Sequence, residues 1–139
     1  AKSKRHDCAL YGKLSATSAI TSLLSGATAI YAKQAPLGAT MPYIVYGVQA
    51  GGRDNRYAGD HDDVYYTVKA VADAAANGAL VAEQIADAIE TALHEATLTL
   101  EGSWTNRHTQ VMTDISYTET YNEKTYIHAG RVIRLRSDA

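Results

Sequence analysis

Pro42-Tyr-Ile-Val-Tyr-Gly-Val48 is the stretch on which the fold turns. Apolar side chains fall on both parities of the run, and Tyr, Ile and Val favour extended backbone. It is therefore expected to be an inner strand of a sheet, covered on both faces. Pro42 has no N–H to donate, so it fits as the strand's first residue. Just upstream, residues 34–40 carry Pro36 and Gly38 and are expected to form a turn or loop, and residues 28–31 before them are short and β-prone.

Toward the N-terminus, Leu10, Leu14, Ile20 and Leu24 recur at helical spacing. The spacing predicts a helix over residues 7–25, with Asp7 as N-cap and Gly26 as its stop. Its second half is rich in Ser and Thr, which lowers intrinsic helix propensity, so packing must hold it in place. Downstream, residues 50–63 hold Gly51, Gly52, Gly59, Arg53, Arg56 and four Asp with neither helical nor strand periodicity, and a long loop is expected. Val64, Tyr66, Val68 and Ala70 then alternate with Tyr65, Thr67 and Lys69 as in a half-buried strand ending near Ala72. Residues 77–95 give the clearest helix: Val81, Ile85, Ala88, Ile89, Ala92 and Leu93 form one stripe, and Glu83, Asp87 and Glu90 lie on another face, toward solvent or a neighbour. A short strand at residues 97–100 is expected to end at Gly102. Residues 104–117 and 125–136 are two longer β-prone runs joined by a polar stretch at residues 121–124, the pattern of a hairpin. The order helix, strands, helix, strands predicts one α+β domain over residues 1–139, with two helices packed on a mostly antiparallel β-sheet.

Composition narrows what such a domain can do. The 139 residues are 46% hydrophobic and 20% charged, ordinary globular usage with enough length to bury a core. A net charge of −2 offers no strong positive field for phosphates or anionic lipids, so nucleic acid is a poor primary partner. Cys8 is the only cysteine, which excludes an internal disulfide and a multi-cysteine zinc site and fits a reducing compartment. No run approaches the roughly 20 apolar residues that span a bilayer, and residues 1–8 lack the apolar core of a signal peptide, so a soluble chain is expected. Ten Tyr, one Trp and no Phe give nearly every ring a hydroxyl, which suits rims and interfaces.

A search for reactive groups turns up little. His6, His61, His94, His108 and His128 lack the one-turn spacing that sets two imidazoles on one helix face. Asp60-His61-Asp62-Asp63 offers oxygen and nitrogen donors but not the alternating ladder of a calcium loop, and a solvated charged loop explains it as well. Cys8 with His6 two residues away is the nearest approach to a nucleophile and base, against an inert thiol. There is no Gly-x-Ser-x-Gly elbow, and Gly51-Gly52 is too sparse for a phosphate loop. Arg134 and Arg136 share a strand parity that Arg131 does not. Edge-strand charges or subunit ion pairs account for them better than a nucleic-acid strip.

With these residues in view, the chain resembles the tail-completion or tail-terminator proteins of long-tailed bacteriophages and gene-transfer particles. The resemblance rests on the order of elements: a helix ending in Leu23-Leu-Ser-Gly26, the Ile30-Tyr31 pair, the Ala35-Pro-x-Gly38 turn, Pro42-Tyr-Ile-Val-Tyr46, Tyr66-Thr-Val-Lys-Ala70, the amphipathic helix closing in Ala92-Leu-His94, and the strand from Arg131 to Arg136. It implies a structural virion protein of the tail or neck, assembled in the host cytoplasm, with no enzymatic activity and no cofactor or metal. Its implied partners are further copies of itself in a ring, a hexamer in most of the family, the tail tube protein and the head-tail connector or stopper. It implies no membrane and no specific nucleic-acid contact, phage DNA having only to pass through the lumen. A neck connector or stopper is the alternative within the class. A small α+β enzyme using Cys8 or the Asp60–Asp63 cluster is the alternative outside it. A ring needs two complementary patches per subunit. Candidate interface residues are Arg53, Arg56 and Tyr57 in the glycine-bearing loop, Tyr121 and Lys124 in the hairpin, Glu83, Asp87 and Glu90 on the helix, and Arg134 and Arg136 on the last strand.

Overall fold

The computed structural model describes residues 2–26, 28–36, 38–53, 61–100, 102 and 104–138, with the side chains of residues 2–4, 50–53, 61 and 76 outside the description. Five strands make one sheet: β1 (Ile30–Ala32), β2 (Tyr43–Arg53), β3 (His61–Asp73), β4 (Thr105–Tyr121) and β5 (Lys124–Asp138). Their order is β1-β2-β3-β5-β4. Only the β1–β2 pair is parallel; the other three are antiparallel. Three helices, α1 (Lys2–Ala16), α2 (Ser18–Thr21) and α3 (Gly78–Leu93), pack on the sheet. The α+β class and the mostly antiparallel sheet are as the sequence predicts, with one short helix more.

Alternation along the strands shows where the helices lie. In β3 the even-numbered residues from Asp62 to Ala72 are buried and most odd-numbered ones only partly so; in β5 the odd-numbered residues from Ala129 to Ser137 are the buried set. Helices cover one face, and the other is left half-open. The covered face supplies Ile44, Tyr46, Val64, Tyr66, Val68, Ile133 and Leu135, which meet Leu10 and Leu14 of α1, Ile20 of α2, and Ile85, Ile89 and Leu93 of α3. Each such aliphatic side chain contributes about 1.5–3 kcal/mol on burial. α3 lies close on β5 because its buried stripe includes Gly78, Ala82 and Ala86, and the last two pack against Ala72 and Ala129.

The N-terminal helix differs from expectation. It starts at Lys2, five residues before Asp7, and breaks at Thr17, whose backbone is extended at φ −93° and ψ 105°. Asp7 is therefore no N-cap: its carboxylate accepts a 2.6 Å hydrogen bond from the Tyr66 hydroxyl. Around it, Arg5 pairs with buried Asp62 at 2.9 Å and lies 3.8 Å over the Trp104 ring, and His6 Nε2 is 3.2 Å from Ser137 Oγ. Polar anchors thus fix the first two turns, which carry no apolar period to reveal them in sequence.

Four further expectations are corrected. β2 is an inner strand but covered on one face only, since Ile44 and Tyr46 are buried while Tyr43 and Val45 are half-exposed. Pro42 precedes the strand instead of opening it. Of the loop expected over residues 50–63, the described residues are ladder, since β2 runs to Arg53 and β3 begins at His61, with Arg53 opposite Asp62; residues 54–60 lie outside the description. Residues 97–100 make no strand; Leu98 and Leu100 are tucked into the core, and the Leu98 N–H donates to Asn106 Oδ1 at 3.0 Å. The β4–β5 hairpin is present and longer than expected, closing through Asn122 and Glu123 at φ 50° and 63°, the two-residue turn whose twist matches the strands.

Candidate assembly surfaces

The half-open face gathers tyrosines. Tyr31, Tyr43, Tyr65, Tyr117, Tyr121 and Tyr126 stand on it by register, and Tyr31 meets Tyr43 edge-on with ring centroids 5.8 Å apart. Charged groups between them are paired. Arg134 Nε donates to Asp63 at 2.8 Å and its guanidinium lies 5.5 Å over the Tyr65 ring; Lys69 Nζ donates to the Tyr117 hydroxyl at 2.6 Å. Arg134 therefore sits on an interior strand in an intramolecular ion pair, not on a sheet edge. Arg136 lies on the same interior strand, exposed.

Between the β1–β2 connection and the hairpin, this face holds a groove of about 470 Å³, lined by Met41, Tyr43, Tyr121 and Tyr126 and by the charged Glu119 and Lys124, the latter paired with Asp73 at 3.5 Å. His128 lines it beneath Tyr117, the rings stacked at 4.4 Å and 8°. Neither ring nitrogen has a hydrogen-bond partner. Glu119 Oε1 stands 3.6 Å away, too far to be one. Burial, and then the Lys69 ammonium, push the His128 pKa below the usual imidazole value against the weaker pull of Glu119. Burial also raises the Tyr43 hydroxyl pKa, with Tyr126 and Glu119 adding to the shift.

On the other side of the molecule, α3 presents the acidic stripe. Glu83, Asp87 and Glu90 are all exposed, as the periodicity implies. The structure adds a partner that the sequence did not reveal: Arg131, buried on β5, reaches Glu90 at 2.8 Å, Asp87 at 3.0 Å and Asp114 of β4 at 3.2 Å. Desolvation alone would lower the Arg131 pKa, but the Glu90 hydrogen bond and the three carboxylates outweigh it and raise it. Two of the three stripe acids thus hold α3 to the sheet, and Glu83 makes no ion pair among the described residues. Leu80, one turn before Glu83, is 62% exposed. Its sequence signal is its place on the polar helix face with Glu83, Gln84 and Asp87, outside the apolar stripe.

The remaining candidates fall as follows. Tyr121 and Lys124 pair across the hairpin turn, both exposed. Arg53 ends β2, and Arg56, Tyr57 and Asp60 lie outside the described residues. Asp62 and Asp63 point to opposite faces of β3 and are held by Arg5 and Arg134, so they do not converge on an ion; among the described residues no three His, Cys, Asp or Glu side chains do. Cys8 is exposed on α1, while His6 is buried toward Ser137, and the two do not form a reactive pair.

The molecule is thus a single sheet with one face sealed by helices and the other lined with partly or fully exposed tyrosines. The chain belongs to the family of tail completion protein gp17, which matches residues 8–131. Among solved structures it is similar to a chain of the virion of a native gene transfer agent particle, with TM-score 0.80 and 19% identity over 98% of this chain and 96% of that one. No curated protein matches it in sequence. Membership of that family makes it a structural protein of the virion tail.

Proposed function

We propose that copies of this chain close head to tail into a hexameric ring on the head-proximal end of the tail tube, where the ring stops tube growth and receives the head connector. The observation that carries the reading is the pairing of two dissimilar exposed surfaces on opposite sides of one rigid sheet: the Tyr-lined groove face and the outer stripe of α3. Unlike surfaces on opposite sides favour heterologous contact, and heterologous contacts close into rings when the rotation is right. Arg53 at the end of β2, Arg56 and Tyr57 that follow it in sequence, and the hairpin tip at Tyr121 and Lys124 are the parts that reach the tube or connector. Segments that connect the strands of a fixed scaffold commonly carry partner contacts.

The test is to supply the purified protein to growing tail tubes and to particles made without it. Tubes should stop at uniform length with a ring of six copies at one end, and tubes without it should overgrow and fail to join heads. Uniform, head-joined tails in its absence would overturn the reading. The Arg53→Glu, Arg56→Glu double variant should remain folded and join fewer heads to tails; normal particle yield would remove that segment from the contact.

A further inference from the structure

The sheet is open at both edges. β1 ends it on one side and β4 on the other, and among the described residues no strand lies beyond either. A free strand edge presents unpaired N–H and C=O groups, which folded proteins blunt with proline, lysine, bulges or a covering segment. On β4 the covering stops halfway. The residues that follow α3 run along its first half, where the Glu95 N–H donates to the Thr109 carbonyl at 2.8 Å and the Val111 N–H donates to His94 Nδ1 at 3.3 Å. Beyond the bulge at Val111 and Thr113, residues 113–121 read Thr-Asp-Ile-Ser-Tyr-Thr-Glu-Thr-Tyr, with neither Pro nor Lys, and every side chain but that of Ile115 is exposed. β-branched and aromatic residues dominate this stretch although no core requires them.

The two edges match in direction, height and parity. β1 is parallel to β2, and three antiparallel pairings then lead from β2 to β4, so β1 and β4 run in opposite directions. Register carries Ile30 through Ile44, Ala70 and Ala129 to Ser116, and Ala32 through Tyr46, Val68 and Arg131 to Asp114. The bare half of β4 therefore stands at the height of β1, on the far edge. The Ala29 carbonyl accepts from Ile44 and the Lys33 N–H donates to Tyr46, so odd residues of β1 face β2, and Ile30 and Ala32 face out. On β4 the odd residues Thr109 and Val111 face out. The extra residue of the bulge reverses this parity, and Asp114, Ser116 and Thr118 face out beyond it.

We propose that β1 of one copy pairs antiparallel with the bare half of β4 of the next copy, Ile30 opposite Ser116 and Ala32 opposite Asp114, so that the sheets join edge to edge. A second copy is the occupant because copies rotated about an axis along the strands bring these two edges together antiparallel, at one height, with outward-facing groups meeting. Tyr31 then lies beside Ile115 on the tyrosine-lined face, and the helices stay on the other. Main-chain hydrogen bonds across the edge supply affinity, and alternate side chains set the register. Each copy gives one edge and receives the other, so the contact repeats in one direction. This rests on the ring reading and deepens it by naming the strands of the seam. The tyrosine face and the α3 stripe flank that seam on its two sides, and the hairpin tip at Tyr121 and Lys124 lies beyond the paired residues.

Disulfide trapping in the full chain reads the register. Tyr31→Cys with Ile115→Cys in a Cys8→Ala background should give a ladder of linked oligomers on oxidation, free or on tail tubes. Four strand spacings of ~4.8 Å put the two positions about 19 Å apart within one chain, too far for an internal bridge. Tyr31→Cys with Gln110→Cys, on the covered half of β4, should give no ladder. Ser116→Pro removes one outward N–H and no bond of the β4–β5 ladder. It should keep the circular dichroism and melting temperature of wild type while self-association by sedimentation weakens about tenfold or more. Where that variant loses its fold, the disulfide ladder decides. Six-copy rings that give no ladder, or a comparable ladder from the Gln110→Cys pair, would overturn the seam and leave the ring intact. Loss of tube binding by Ser116→Pro with unchanged self-association would give the edge to the tube protein and also overturn it. A wild-type chain that stays monomeric, free and on tubes, would overturn both.

Discussion

Replacing Arg131 by Met keeps most of the aliphatic stem and removes the guanidinium that ties α3 and β4 to the centre of the sheet. The lost contacts are Nε to Glu90 at 2.8 Å, Nη2 to Asp87 at 3.0 Å, Nη1 to the Gly130 carbonyl at 2.9 Å and the approach to Asp114 at 3.2 Å. Removing one partner of a fully buried pair costs about 3–5 kcal/mol, because the other charge is stranded. Here the stranded groups are the acids, and Asp87 and Asp114 are 76% and 75% exposed, so water takes them back. Each pair is then worth nearer the exposed value of about 0.2–1 kcal/mol. Three such pairs, the carbonyl bond and the repulsion left among three carboxylates put the loss near 2 kcal/mol. For a chain of this size that corresponds to a melting temperature lower by about 6–10 °C. Urea unfolding followed by circular dichroism reads the free energy directly. Asp87→Ala and Asp114→Ala should each cost less than about 1 kcal/mol, because removing one acid leaves Arg131 its other partners. An Arg131→Met chain within 0.5 kcal/mol of wild type, on the scale of about 0.5 kcal/mol for featureless surface changes, would refute the view that the stripe acids serve the fold.

Two further outcomes follow from close contacts within the sheet. A Cβ at Gly130 would fall on the Val68 carbonyl oxygen and 2.5 Å from Lys69 Cα, so Gly130→Ala must push apart the inner strands β3 and β5. It should cost about 3 kcal/mol or more, the upper end for overpacking since backbone cannot rotate away, and a melting temperature within 2 °C of wild type would contradict the close approach. The Tyr46 hydroxyl is pushed up to about 12 by burial and then by Asp7, and Tyr66 is raised further by burial and its hydrogen bond to Asp7. The folded chain therefore holds these protons above pH 10, where the unfolded chain releases them. Their contribution is complete below about pH 10 and is lost as pH rises toward 12. Tyr66→Phe should lower stability by about 1–2 kcal/mol at pH 8 and flatten the alkaline decline; equal slopes for variant and wild type between pH 9.5 and 11.5 would count against it.

Much of the fold was legible in the sequence wherever one periodicity dominated. The α3 stripe from Val81 to Leu93, the alternation from Val64 to Ala70 and the hairpin around residues 121–124 read directly as helix, strand and turn, because burial on a single face imposes period 3.6 or 2 on the apolar residues. The resemblance drawn from the order of those elements agrees with the family the chain belongs to. What failed had a common cause. The first two turns of α1 are held by Arg5, His6 and Asp7 reaching Asp62, Ser137 and Tyr66, partners from 57 to 131 residues away, so no local window could find them. Residues 50–53 and 61–63 looked like loop because glycine and aspartate weaken strand propensity, yet cross-strand pairing carried both strands through them.

The surfaces divide along the same line. Glu83, Asp87 and Glu90 share a helix face by sequence spacing alone, since the turn of a helix is set by its own backbone. That Asp87 and Glu90 are spent on Arg131, while Glu83 makes no ion pair among the described residues, depended on which strand lies beneath α3, and the sheet order β1-β2-β3-β5-β4 settled that. In the same way the ten tyrosines were countable from the start, and only the register placed six of them on the face that the helices leave open. Local spacing decides which residues share a face of their own element; the pairing of distant elements decides which of those faces remains exposed for another molecule.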